Sequence, residues 1–374
     1  MNLLIACDSF KDSLPAVAVC QSLERGIKKA FPSCHTQLFP MADGGEGTAR
    51  IMTYHTQGQW IQAEVQGPLA APVKAGYGIS ADGTKAYIDM AEASGLQLVP
   101  RPLRNPLKTG TYGTGQLIQK AIDQGVEKVF LGIGGSATND GGIGMAKALG
   151  FRFLDAKGQE LAGNGEDLQE IKQIIPPNRS FPILEVLCDV NNPLYGPQGA
   201  ATVYGPQKGA TDQIVAQLDE GLKHLASLVE SSLQKKLDQV PGAGAAGGMG
   251  YGAMAFLNGT LRSGIAAIMD EASFNDALES VDLVITGEGK IDDQTLQGKL
   301  INGICQRAKA FNRPVIAVCG ALLASTELVQ RIGLQAAFSI QRYPLSLAEA
   351  LEQTEENLEY LGFQLARTLF WQQS

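Results

Sequence analysis

The sequence predicts an α/β protein in which a Rossmann-like parallel-sheet domain is interrupted by an inserted mixed α/β domain. Three observations carry this. Short apolar runs are each followed by a polar or Gly-rich loop and a helix-spaced apolar pattern, near the N-terminus and again after about Phe274, which implies parallel strands with helices on their faces. From about Ile61 the texture changes to alternating segments split at Gly67-Pro68 and Asp82-Gly83, as in hairpins. The chain also holds 44 Gly in 374 residues, above the roughly 7 % average, with no collagen period and no Gly/Ser tract. The expected division is 1–62 plus 274–374 for the outer domain and 63–273 for the insert.

Leu3–Cys7 reads as a buried first strand, followed by Asp8-Ser9-Phe10-Lys11 and a helix over Ala16–Phe31 with Val17, Cys20, Leu23 and Ile27 on one face. Thr36–Pro40 is a second strand, leading through Asp43-Gly44-Gly45-Glu46-Gly47 into a helix that ends near Thr56. In the insert, strands are expected at Ile61–Val65, Val73–Ile79, Lys85–Met90, Val129–Ile133 and Ile183–Leu187. A Gly-rich segment, Arg104–Gly115, enters a helix that runs to about Gln124, and a long helix is expected from Asp212 to about Leu237. Pro241–Gly250 reads as a loop before a short helix, with a further loop to about Asp270. The outer domain resumes with a strand over Val281–Thr286, a loop over Gly287–Asp293, a strand over Pro314–Cys319, a helix over Ser325–Ile332, a strand over Ala336–Ile340 and one closing helix over Leu345–Phe370.

The net charge of −8, with no basic run, argues against nucleic acid. No apolar run approaches the roughly 20 residues of a membrane span. The six Cys form no CxxC pair, so free buried thiols in a reducing cytoplasm are expected. Only six residues precede Cys7, too few for the signal that a lipoprotein-like Leu4-Ile5-Ala6-Cys7 box requires.

The stretch Val126–Gly150 organises the rest. Its strand feeds a helix through a loop of Gly134, Gly135, Ser136, Thr138, Asn139 and Asp140, whose bare amides favour an anion. In a doubly wound sheet the loops at the carboxyl ends of the strands share one edge, and ligands bind there. In the outer domain that edge collects Asp8, Ser9, Lys11, Asp43, Glu288, Lys290 and Asp292; the insert adds Asp189 and Asn191. Lysines for phosphates, carboxylates for a metal and an acid beside the acceptor hydroxyl are what phosphoryl transfer needs.

The chain contains no GxxxxGK[ST], so it is not a P-loop enzyme, and no GxSxG elbow. Its three His (35, 55 and 224) stand outside these loops. Gly132-Ile133-Gly134-Gly135-Ser136-Ala137, with Asp155 about 20 residues on, partly matches a dinucleotide fingerprint, which leaves a nicotinamide-dependent oxidoreductase acting on a small hydroxy acid as the alternative. A metabolite sensor without turnover is a third reading.

Seven segments, DSFKDSLPA (8–16), PMADGGEGT (40–48), NPLKTGTYGTG (105–115), GIGGSATNDGGIGMAKALG (132–150), CDVNNPLYGPQGAATVYGPQKGA (188–210), PGAGAAGGMGYG (241–252) and TGEGKIDDQTLQGK (286–299), resemble the type I glycerate kinase family in order and across nearly the whole chain. Cys7 departs from it, standing where the family usually has Pro. The resemblance implies ATP- and Mg²⁺-dependent phosphorylation of D-glycerate in a two-domain α/β fold, with 2-phosphoglycerate expected over 3-phosphoglycerate.

The expected roles combine that activity with the loop argument. ATP phosphates lie against Gly134, Gly135, Ser136, Thr138 and Asn139, with Lys11 or Lys290 as counter-charge. Asp189 holds Mg²⁺, with Asp140 or Glu288 nearby. Asp43 or Asp292 orients or deprotonates the glycerate hydroxyl, the remaining Lys meets the glycerate carboxylate, and Asp8, Ser9 and Glu288 line the substrate.

Overall fold

The computed structural model describes residues 1–292, 295 and 299–369. The chain forms two compact units, Met1–Asp43 with Ile265–Ser374, and Gly44–Gly264. In chain order the strands of the described residues are β1 (Asn2–Cys7), β2 (His35–Leu38), β3 (Gln59–Gln66), β4 (Pro72–Ile79), β5 (Lys85–Asp89) and β6 (Lys128–Gly132). There follow β7 (Arg152–Leu154), β8 (Gln173–Ile175), β9 (Ile183–Leu187), β10 (Thr260–Arg262), β11 (Leu283–Ile291), β12 (Val315–Leu322) and β13 (Ala336–Ser339).

The first unit is built on a five-stranded sheet in the order β13-β12-β11-β1-β2, with every neighbour parallel. A parallel sheet is covered on both faces, so its strands are continuous apolar runs; Leu3, Leu4, Ile5, Ala6 and Cys7 are all at 0 % exposure. Leu23 and Ile27 of the helix Ala16–Ala30 pack in the same core as Leu358 and Leu365 of the helix Thr354–Leu369. These two helices approach closely because each offers a glycine. A Cβ on Gly26 would stand 1.9 Å from the Glu359 carbonyl oxygen, and one on Gly362 would stand 2.4 Å from that of Leu23.

The second unit carries a mixed six-stranded sheet, β10-β9-β6-β5-β4-β3. β5, β6, β9 and β10 are parallel, whereas β3, β4 and β5 are joined antiparallel through the two expected hairpins. β7 and β8 form a small antiparallel pair of their own. The fold class is therefore the expected one: a parallel α/β unit whose chain is interrupted by a mixed α/β unit.

The details depart from expectation in ways that have physical causes. The expected boundary at 62/63 falls inside β3, all eight residues of which pair with β4. The helix Thr48–His55 goes with the second unit: Thr53 fills the space above Gly78 of β4, and Asp89 from the end of β5 accepts from the Gly47 and Ala49 amides. β11 runs on to Ile291 and β12 to Leu322, so Gly287–Lys290 is strand rather than loop. Gly and charged residues concealed this extension, since the apolar signal stops at Thr286. Residues 260–262, expected in a loop, form β10, a short edge strand held by Arg262 Nη1 donating to Glu185 at 3.1 Å. The Gly-rich stretch closes into a helix at Ala245–Leu257, broken at its start by left-handed Ala246, Gly247 and Gly248. The closing helix is two helices, Leu347–Glu352 and Thr354–Leu369, the first with a Ser346/Glu349 capping box; its expected end at 370 lies outside the described residues. Six free cysteines are present, five of them buried. No helix of the described residues is long and apolar enough to cross a membrane.

Candidate active site

In the second unit, β6 delivers the chain into the loop 133–142, which ends at the helix Ile143–Ala148. Three of its carbonyls are anchored by the protein. Gly135 O accepts from Leu96 N at 2.8 Å, Ala137 O from Thr109 Oγ1 at 2.8 Å, and Thr138 O from Lys208 Nζ at 2.6 Å. In a planar trans peptide the C=O and the next N–H point in opposite directions. Anchoring those carbonyls therefore turns the amides of Ser136, Thr138 and Asn139 away from the groups that hold them. These three amides make no hydrogen bond among the described residues, while Ala137 N is spent on Ser94 O at 2.9 Å. Gly135, at φ +71°, makes the turn possible.

The loop is stratified. Gly134 and Gly135 reach the surface, Ser136 is 8 % exposed, and Thr138 and Asn139 are at 0 %. Thr138 Oγ1 and both amide atoms of Asn139 lie buried with no partner among the described residues. Unpaired buried polar atoms cost about 1–3 kcal/mol each, so this floor is built to be completed by a water or a bound polar group. It rests on the second Gly-rich stretch: Gly141 N donates to Gly247 O at 3.0 Å, and a Cβ on Gly247 would sit 2.0 Å from Thr138 O.

Asp140 has a different position from the open metal ligand expected. It is fully buried, and its carboxylate is saturated. Oδ2 accepts from Thr111 N at 2.8 Å, Thr111 Oγ1 at 2.7 Å and Gly144 N at 3.3 Å, and Oδ1 accepts from Gly142 N at 3.0 Å. Burial raises its pKa and these four donors oppose the rise. The geometry is that of a staple tying the Thr111 turn to the start of the following helix.

Beside the loop lies the turn Gly44–Gly47. A Cβ on Gly134 would stand 2.8 Å from Gly45 Cα, and one on Gly44 would stand 3.0 Å from Asp189 Oδ2. Asp189 leaves the end of β9 and accepts from Gly264 N at 3.3 Å. Thus the Gly134 loop, the Gly44–Gly45 turn and Asp189 are contiguous. Burial drives Asp89, which caps the helix Thr48–His55 from the side, up to about 7 against its two backbone donors.

In the first unit, parallel pairing sets Cys7 opposite Gly287, so Asp8 emerges where Gly287–Lys290 continues as strand. Asp8 N donates to Gly287 O at 2.9 Å, and Asp8 Oδ1 accepts from Ser9 N at 2.5 Å. Strand alternation puts Glu288 and Lys290 on one face. Lys290 Nζ pairs with Asp292 at 2.6 Å, while Lys11 is exposed and has no ion pair among the described residues. Asp8 is pushed up to about 7 by burial, then by the Asp43 and Glu288 charges. Glu288 is likewise pushed up to about 7, by burial and then by Asp43 and Asp292, against a hydrogen bond from Thr295 Oγ1 at 3.3 Å. Within this unit the structure assembles Asp8, Asp43, Glu288 and Asp292, all expected from sequence. Among the described residues of this unit, the carboxyls poised near neutrality are Asp8 and Glu288, and the charges of Asp43 and, for Glu288, Asp292 help hold them there. No three carboxylate, imidazole or thiol groups among the described residues form a finished metal cage. The oxygen-only cluster nonetheless has the chemistry of a magnesium ligand set.

Lys208 was not singled out from sequence. It is 2 % exposed, ends the 3₁₀ turn Pro206–Lys208, and donates to Ser136 Oγ at 2.7 Å as well as to Thr138 O. Burial pushes its pKa down to about 7, with Asp140 opposing. Its local sequence, Gly205-Pro206-Gln207-Lys208-Gly209, reads only as the approach to the long helix, and nothing in it marks the lysine as buried.

The dinucleotide alternative finds no support in the geometry. Asp155 is spent on its own turn, its Oδ1 accepting from Lys157 N and Gln159 N at 2.8 Å each. The comparisons with known proteins point elsewhere too. The sequence model of the glycerate kinase family matches residues 3–370. A glycerate kinase of Halalkalibacterium halodurans is 46 % identical over 377 residues, covering 100 % of this chain and 99 % of its own. The glycerate 2-kinase of Escherichia coli K12 is 42 % identical over 373 residues, covering 99 % and 98 %. A crystal structure from Salmonella typhimurium LT2, assigned to glycerate kinase 2, superposes with a TM-score of 0.90 at 43 % identity over 100 % of this chain and 99 % of that one. On a match that runs from residue 3 to residue 370, the chain belongs to the glycerate kinase family and is a phosphotransferase.

Proposed function

We propose that the chain transfers the terminal phosphoryl group of ATP to D-glycerate with Mg²⁺, and that the product is 2-phosphoglycerate. The observation that carries the nucleotide part is the anchoring of Gly135, Ala137 and Thr138 carbonyls, which leaves the Ser136, Thr138 and Asn139 amides as unspent donors. Preset amide dipoles suit an anion that must be bound without reorganisation. Gly134, Gly135 and Ser136 meet the phosphates first, and Thr138 and Asn139 complete the site from beneath. Lys11, without an ion pair among the described residues, supplies counter-charge; Lys290, steadied by Asp292, meets the glycerate carboxylate.

Mg²⁺, when bound, withdraws charge from the phosphate oxygens. Asp189, or the Asp8–Asp43–Glu288 carboxylates, would hold it. Asp8, Ser9 and Glu288 line the substrate. The proton of the acceptor hydroxyl passes to this acidic cluster, where a carboxyl titrating at about 7 is matched to the task. Attack by O2 rather than O3 is supported by the name of the Escherichia coli relative.

Incubation with D-glycerate, ATP and Mg²⁺ should release ADP, and phosphorus NMR of the product should show a phosphate on the carbon that bears the carboxylate. A phosphate on the terminal carbon would overturn the regiochemistry alone. Reduction of NAD in place of ADP release would overturn the whole reading.

A further inference from the structure

We propose that Lys208 is a positioning residue for the triphosphate, acting through the hydroxyl of Ser136; this rests on the reading of the 134–139 loop as the phosphate site. An ammonium can only donate hydrogen bonds, whereas a hydroxyl both donates and accepts. Lys208 Nζ lies 2.7 Å from Ser136 Oγ, so the serine oxygen is the acceptor and its own proton is released for another partner. Ser136 is also the last side chain of the loop near the surface, at 8 % exposure, before the chain descends to Thr138 and Asn139 at 0 %. The same ammonium holds Thr138 O at 2.6 Å, which turns the Asn139 amide away from it. One buried cation thus sets a hydroxyl donor and an amide donor of the loop.

A second observation points to a ligand. Thr138 Oγ1 and the Asn139 side-chain amide, adjacent to this anchor and fully buried, have no partner among the described residues. A lysine serving only the core would leave no reason for open hydrogen-bonding groups next to it. Its charge is balanced in place by Asp140, whose field opposes the effect of burial. The staple and the anchor therefore support one loop from two sides.

The test is a double-mutant cycle read in steady-state kinetics and nucleotide binding. Ser136→Ala and Lys208→Met should each raise the KM for ATP about tenfold, the loss of roughly one charge-assisted hydrogen bond. The KM for D-glycerate should stay within about twofold, and the Kd for ADP should rise in parallel with the KM for ATP. The double variant should be no worse than the poorer single variant, since Lys208 acts through Ser136. Full additivity, about a hundredfold, overturns the proposal. If Ser136→Ala leaves the KM for ATP unchanged, the phosphate-site reading falls and the proposal with it. If Ser136→Ala raises it while Lys208→Met does not, only the role of Lys208 falls. Should Lys208→Met not fold, Lys208→Gln, which keeps an N–H donor, makes the same separation; if neither folds, Lys208 is structural support and the proposal is overturned.

Discussion

Asp140 and Glu288 are both carboxylates withdrawn from water, yet they stand in opposite company. Asp140 faces four hydrogen-bond donors, three of them backbone amides, and its charge is answered by a buried ammonium. Glu288 faces Asp43 and Asp292 and has, among the described residues, one hydroxyl donor at 3.3 Å. Burial raises both pKa values, but only the second acid is held up by like charge as well. The difference separates scaffold from chemistry. A saturated acid has nothing left to offer a substrate, while a crowded acid near its titration point gains by taking a proton or a cation.

The comparison is broken most severely at Asp140. Asp140→Ala orphans the Thr111, Gly142 and Gly144 amides and leaves Lys208 without its counter-charge, which should cost about 3–5 kcal/mol. Thermal melting should show the protein destabilised at every pH, and a variant that melts like the wild type would return Asp140 to the list of open ligands. Glu288→Gln should instead keep the fold and lower turnover by roughly 10²–10⁴, the usual worth of a positioned acid or base; full activity would exclude Glu288 from the proton's path. Asp43→Asn is a milder change, expected to cost at least tenfold. Because it removes a negative charge that raises both Asp8 and Glu288, the acidic limb of the kcat/KM profile should also move to lower pH. An unmoved limb would detach Asp43 from the titrating pair.

The smallest effect concerns stability. Glu288 is raised to about 7 from an ordinary carboxyl value, so the folded state binds its proton more tightly than the unfolded chain does. That contribution is fully present below the unfolded pKa and is lost as pH rises through about 7. Glu288→Gln, which cannot ionise, should flatten this decline and melt roughly 2–4 °C above the wild type at pH 8, with little gain at pH 5. Equal shifts at both pH values would mean that packing, not ionisation, sets the difference.

Much of this was legible in the residues. Ile183–Leu187 was placed to the residue, because Pro182 bounds it on one side, Cys188 opens the polar Asp189 loop on the other, and Leu184, Val186 and Leu187 between them are buried. Asp8, Asp43, Glu288 and Asp292 were grouped by the rule that strand carboxyl ends share an edge, and within the first unit they interact. The strand character of Gly287–Lys290 was hidden, since pairing with β12 is set by neighbours far off in the chain and not by local composition. Lys208 was hidden for a related reason. Its burial follows from a loop 70 residues earlier folding over it, and no local pattern distinguishes a buried lysine from a solvated one.

The packing of the two glycine-rich stretches has a consequence for how this molecule tolerates change. A Cβ on Gly248 would lie 2.8 Å from Gly141 Cα, and one on Gly252 would lie 2.5 Å from Gly141 O, so main chain rests directly on main chain. Every single-nucleotide missense change in a glycine codon adds a side chain, and here even the smallest has nowhere to go. Random mutagenesis should therefore find this seam the least forgiving part of the second unit, and attempts to recruit the scaffold for new substrates will do better at the exposed lysines of the strand tips, Lys11 and Lys290.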